Sequence, residues 1–244
     1  MERNQSSENY DQELKALTTL GLNYLPYIGR LIPAVSRLMI LGESCYAWTA
    51  KATGKTTLED ITADQYHIRK NVCDHMTQKR GFFNNIVKAV TGYEKMTQEQ
   101  CIRFWGLSIF HNLVTVPMHT KKHRPSEIDY KTGWNVFWEL QKVLRPSVCI
   151  MLGTENAKID TFISVLRTKM QFIDYKKELN LHCVKIGRYY AKTLDVPMSG
   201  DIVKFIFIKH PSAFFSWGKW HNFLKSQQPE IIDYYQNEVI RKND

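Results

Sequence analysis

Apolar residues in this chain gather in two ways, as short unbroken runs and as stripes at helical spacing. Residues 37–42, 148–152 and 202–208 are runs too short for a long helix and too continuous for a half-exposed strand, so they predict strands buried on both faces. Residues 108–116 mix apolar and polar groups and predict a strand ending near Asn112, and 181–186 predict one more. Helical spacing marks 8–20, ended by Gly21, and a helix from a cap at Asp60 or Thr62 to about Lys79. It also marks 82–90, and 101–107 behind a Thr97/Gln100 capping box. Ser126 opens a helix with Trp134, Phe137, Trp138 and Leu140 inward that ends before Pro146, and 155–167, 219–225 and 229–241 are helical. Segments 22–36, 43–57 and 117–125 read as irregular, the last as a basic loop. Strands alternating with helices predict an α/β fold with a parallel sheet covered on both faces. No linker divides the chain, so one domain is expected.

The runs stop abruptly at chemically capable residues. Gly42-Glu43-Ser44-Cys45-Tyr46 follows one strand, Asn112 ends a second, and His210-Pro211-Ser212 follows a third. In open α/β sheets the ligand crevice lies outside the carboxyl ends of the strands. A buried Glu is costly unless paired or functional, Pro211 restricts the backbone of His210, and the Asn112 amide can read a base edge. Each has a plainer reading, as a capping loop, a structural His and a turn Asn. Phe214, Phe215 and Trp217 come next and are either wedges for a base stack or core. Ala52-Thr53-Gly54-Lys55-Thr56 is similar to a phosphate loop but lacks its first glycine, and His119 with His123 have no nearby carboxylate to complete a metal site.

Composition narrows the partner. The 244 residues carry a net charge of +9, which favours a polyanion such as DNA. Basic residues gather at Arg69-Lys70, Lys79-Arg80, Lys121-Lys122-His123-Arg124 and Lys176-Lys177. The 5 cysteines are scattered without a Cys-x-x-Cys pair, which argues against a disulfide framework, a zinc site and an iron–sulfur site. No apolar stretch reaches membrane-spanning length, the N-terminus has no signal-peptide character, and a cytoplasmic location is expected.

The order of these motifs resembles the uracil-DNA glycosylase superfamily. Gly42-Glu43-Ser44-Cys45-Tyr46 is similar to that family's first motif, of forms Gly-Gln-Asp-Pro-Tyr or Gly-Glu-Ala-Pro-Gly. Asn112 followed by Lys121-Lys122-His123-Arg124-Pro125-Ser126 resembles its strand-end Asn and basic loop. Pro146 to Gly153 resembles its third strand, and His210-Pro211-Ser212 its last motif. The match spans 37–224. It implies a three-layer sandwich with a central, mainly parallel four-stranded sheet flanked by helices. Residues 1–36 are then an N-terminal helical extension, 37–224 the core and 225–244 a C-terminal helix. Ser44 stands where many members carry an Asp or Asn, Cys45 replaces a Pro, and the span from Glu155 to Asp201 is long.

The implied chemistry is base flipping and hydrolysis of an N-glycosidic bond, leaving an abasic site. Glu43 and His210 would be catalytic, with Gly42, Ser44, Tyr46, Phe83 and Asn112 holding the base. Lys121, Lys122, Arg124, Ser212, Phe214 and Phe215 would hold DNA. A monomer with no metal or cofactor is expected, acting in repair or against phage with modified DNA. The alternatives are an inactive DNA binder of the same fold and, further off, an esterase of Gly-Asp-Ser type using Ser44 and His210.

Overall fold

Four of the apolar runs line up in parallel at the centre of a larger sheet. The computed structural model describes residues 6–34, 37–47, 58–78, 81–120, 123–170, 177, 182–212 and 214–241. Its strands are β1 (Tyr27–Ile28), β2 (Leu38–Gly42), β3 (Ile109–Asn112), β4 (Val148–Leu152), β5 (Cys183–Ile186), β6 (Tyr189–Met198) and β7 (Asp201–Ile208). They run in the order β1-β3-β2-β4-β7-β6-β5. The four strands from β3 to β7 are mutually parallel, and β1, β6 and β5 join antiparallel.

The α/β class holds, but the sheet has seven strands rather than four and is mixed rather than mainly parallel. β6 escapes the sequence reading because its apolar positions only alternate. Leu194, Val196 and Met198 are buried, while Asp195 and Pro197 face solvent, the signature of a sheet margin covered on one face. β1 is two residues long, too short to show a period.

Strand geometry sends alternate side chains to opposite faces, and each face has its own core. Ile40, Phe110, Ile150 and Ile206 point to one. Under them lie α3 (His67–Gln78), α4 (Gly81–Thr91), α5 (Gln98–Gly106), α8 (Trp217–Gln227) and α9 (Pro229–Ile240). Met39, Leu41, Ile109, Cys149, Met151, Phe205 and Phe207 point to the other. There α1 (Asp11–Ala16), α6 (Glu127–Leu144) and α7 (Asn156–Met170) cover them. Trp134 of α6 lies 4.3 Å from the Phe162 ring of α7, joining the two helices over the sheet.

Helix starts follow their caps. Thr97 with Gln100 and Ser126 with Asp129 each close a capping box, at α5 and α6, worth about 1 kcal/mol apiece. The helix expected over 60–79 is two, α2 (Leu58–Ala63) and α3. Asp64 breaks it by accepting the backbone N–H of Tyr66 on its own carboxylate, at 3.1 Å. Gly133 lets α6 approach the chain leaving β3, since a Cβ there would collide with the Leu113 carbonyl.

His111 lies on β3, 2% exposed, with neither ring nitrogen hydrogen-bonded. Burial holds it down to about 3, from 6.5. The unfolded chain therefore binds a proton that the folded chain refuses. Stability should be full above pH 6.5 and fall as pH drops toward about 3, by up to about 1.4 kcal/mol per pH unit from this residue. Urea unfolding of wild type and His111→Leu over that range should show a shallower acid loss in the variant.

Candidate functional site

The chain leaves β2 toward β3 on one side, then crosses back to β4 on the other. That reversal makes a crevice at the carboxyl ends of β2 and β4. Backbone bonds tie the exits together: Leu113 N–H donates to Gly42, Val114 to Glu43, and Gly153 to Ile208. Glu43 after β2, Asn112 at the end of β3, Glu155 after β4 and His210 after β7 thus share one sheet edge.

Glu43 is 3% exposed and heavily partnered. Its Oε1 accepts from Tyr130 Oη at 2.7 Å and Arg124 Nη2 at 2.7 Å, and its Oε2 from Tyr46 Oη at 2.8 Å. Lys158 Nζ, wholly buried, lies 3.7 Å from Oε1 and also reaches Glu155 at 3.0 Å and the Leu152 carbonyl at 2.9 Å. Arg124 bridges to Glu155 at 3.3 Å. The result is a quartet of two carboxylates and two cations. Burial pushes the Glu155 carboxyl up, but Lys158, a backbone N–H and Arg124 together hold it below its usual range. Tyr46 is pushed up to about 12, first by burial. Tyr130 is raised too, by burial and then by the bond it donates to Glu43.

Beside the quartet opens a cavity of about 900 Å³. Phe82, Phe83, Phe110 and Asn112 form one wall, and Asp60, Asp64, Lys70 and Asp74 another. Phe83 is held rigidly, stacked on His75 at 5.1 Å and edge-on to Trp105 and Phe110. Asn112 Nδ2 donates to Cys45 Sγ at 3.1 Å. Its Oδ1 packs against Gly42, where a Cβ would collide with it. The Cys45 thiol is pushed up to about 12 by burial despite that hydrogen bond, so it is no nucleophile. Ser44 Oγ is buried near enough to Tyr46 to influence its ionisation, yet closes no well-formed hydrogen bond, to His210 or any other group.

His210 lies against Phe82, ring centroids 5.1 Å apart. Burial, and after it the Lys158 ammonium, hold the imidazole below its usual range against the pull of Glu43 and Glu155. Asn85 donates to the Pro211 carbonyl at 3.1 Å, and Ser212 N–H to the His210 carbonyl at 2.8 Å, which fix the loop. A groove of about 450 Å³ runs between Gly81, Phe82, Asn85, Ser212 and Phe214. Phe214 is 86% exposed with φ +58°, whereas Phe215 is 9% exposed and stacks on Trp220 at 6.1 Å. Phe215 packs into the core against Trp220 of α8 and also lines the groove.

No family model and no curated protein matches this chain. The geometry stands alone.

Glu43, Ser44, Tyr46, Phe83 and Asn112 line one cavity, Gly42 packs against Asn112, His210 lies against Phe82 of its wall, and exposed Ser212 lines the groove. Arg124, expected on DNA, instead turns inward to two carboxylates, with its side chain 52% exposed. Lys121 and Lys122 lie outside the described residues, as does the segment Ala52-Thr53-Gly54-Lys55-Thr56. Among the described residues, no group of three or more His, Cys, Asp or Glu could hold a metal, and no helix is long and apolar enough to cross a membrane. The sequence reading missed Tyr130, Glu155 and Lys158. One signal was available for Glu155: it lies in the short exit from a buried strand, as Glu43 does.

Breaking a buried pair leaves an uncompensated charge, at about 3–5 kcal/mol. Lys158→Met should lower stability in urea by that order. Adding Glu43→Gln should cost less than the sum of the two single changes, since one charge then has less left unpaired.

Proposed function

We propose that this protein is a DNA glycosylase that extrudes a uracil or modified pyrimidine and hydrolyses its N-glycosidic bond. One observation carries the reading. An aromatic-walled cavity with a fixed amide on its wall lies at the strand exits, and an exposed phenyl ring stands on the adjoining groove. Its volume is ample for a pyrimidine with a substituent, and a concavity that combines aromatic walls with placed polar groups is a usual form of small-ligand site.

DNA drawn by the +9 charge would lie along the groove, with Phe214 filling the gap left by the flipped nucleotide. The base would rest against Phe82 and Phe83 and meet Asn112, with the Tyr46 ring closing the far side. The C1′–N bond breaks, positive charge grows on the sugar and negative charge on the base. His210, kept neutral at pH 7 by burial and Lys158, donates a hydrogen bond to the departing base. Glu43 faces the sugar as one of the two carboxylates of the quartet. Water adds to C1′, one of its protons leaves with the base, and an abasic site remains. Uracil or a 5-substituted pyrimidine would place the enzyme in repair or in defence against modified phage DNA.

A second reading, a DNA binder of the same fold without catalysis, is favoured by one feature. Both Glu43 oxygens already accept hydrogen bonds, which leaves little capacity to orient water.

The test is alkali-sensitive cleavage of DNA duplexes holding uracil or 5-modified pyrimidines. Excision is expected in wild type. His210→Ala should slow single-turnover release by about 10²–10³-fold, the usual loss of one oxyanion donor, and Glu43→Gln should also be impaired. Tight DNA binding with intact strands on every substrate would select the second reading.

A further inference from the structure

The long span between α7 and β7 builds a hairpin at the site. β6 runs antiparallel to β7, with Lys192 opposite Phe207. The same register, carried on, brings Tyr189 level with His210, so the β5–β6 turn projects from the sheet edge that holds Glu43 and Asn112. Ile186 pairs with Tyr189 across a two-residue turn whose Gly187 adopts φ +63°, the left-handed conformation such tight turns require. α8 packs against β5 and steadies the hairpin.

Two cations meet on one ring there. Arg188 Cζ lies 5.3 Å from the Tyr189 centroid and its Nε donates to Tyr189 Oη at 3.1 Å. Lys209 Nζ lies 4.7 Å from the same centroid, one residue before His210. Arg188 makes no ion pair among the described residues. The chain from Cys183 to Thr193 adds Lys185 and Lys192 and contains no carboxylate. Two cations set against one ring on a solvent-facing turn offer an anion a paired set of charged donors.

We propose that Arg188, Tyr189 and Lys209 form a phosphate clamp that grips the DNA backbone beside the extruded nucleotide. The anion site stands on this geometry; that the anion is a DNA phosphate rests on the glycosylase reading. Tyr189 acts as the scaffold that holds the two charges at a fixed separation.

The experiment is binding of a fluorescein-labelled DNA duplex, with and without one uracil, across a salt series, with base release scored on the same samples. Each phosphate contact contributes about 0.9 to the slope of log K against log salt. Arg188→Gln with Lys209→Gln should lower that slope by about 1 to 2 and weaken both duplexes equally, with an unchanged melting temperature. Tyr189→Phe should keep the slope. An unchanged slope in the double variant overturns the clamp. A reduced slope without base release keeps the clamp and removes the glycosylase reading, and base release with an unchanged slope does the reverse. Absence of DNA binding by wild type overturns both.

Discussion

The quartet of Glu43, Arg124, Lys158 and Glu155 is the constraint on which the site edge depends. It sits where the apolar core stops and the strands end, so hydrophobic burial alone cannot fix the geometry there. At an effective dielectric of about 20, a pair at about 4 Å attracts by about 4 kcal/mol, while each buried ion costs several kcal/mol to desolvate. The balance closes only because the charges sum to zero and each carboxylate is hydrogen-bonded. Arg124 is half-exposed, so water screens its share. Lys158, wholly buried and held by two carboxylates and a carbonyl, carries most of the load. Through it the exits of β2 and β4 are coupled, and α6 is drawn in through Tyr130.

That coupling explains why some features were legible in the sequence and others were not. The central strands were, because burial on both faces leaves an unbroken apolar run that no other local structure demands. The caps at Thr97 and Ser126 were, because their chemistry is complete within four residues. β6 was not, since one of its faces is wet and Tyr190, Lys192, Asp195 and Pro197 interrupt it. Glu43, Asn112 and His210 could be picked out because each ends a strand. Lys158 could not, because inside an apolar helical stripe it reads as an ordinary solvated lysine until the fold supplies Glu43, some hundred residues away, as its partner. Arg124 and Phe215 show the same ambiguity. A charge in a basic loop and an aromatic beside a polar motif each have two destinations, and only long-range packing chooses between them.

The quartet also sets the electrostatics of the chemistry proposed. A leaving pyrimidine gathers negative charge, and a cationic field from Lys158 and Arg124 behind a neutral imidazole favours it. The same cations weaken the field that Glu43 exerts on a developing positive sugar. Under the glycosylase proposal, leaving-group stabilisation by His210 and its cationic surroundings would be the stronger half of the site, and attack by water the weaker half. A base that departs readily as an anion suits such a site better than one that needs a strongly activated nucleophile.

Phe214 speaks to the same economy from the outside. An apolar ring 86% exposed, on a residue at φ +58°, adds nothing to the folded core, and a bulky residue in left-handed backbone costs of order 1–3 kcal/mol. Its neighbour Phe215 shows that the loop can bury a ring when packing requires it. The His210-Pro211-Ser212 segment that precedes both is tied down by Asn85 at the Pro211 carbonyl, and the exposed ring lines the groove. Under the glycosylase proposal this strained, solvent-facing ring beside an aromatic cavity would offset its cost when a flat partner covers it, and a base pair opened at that point would offer such a partner.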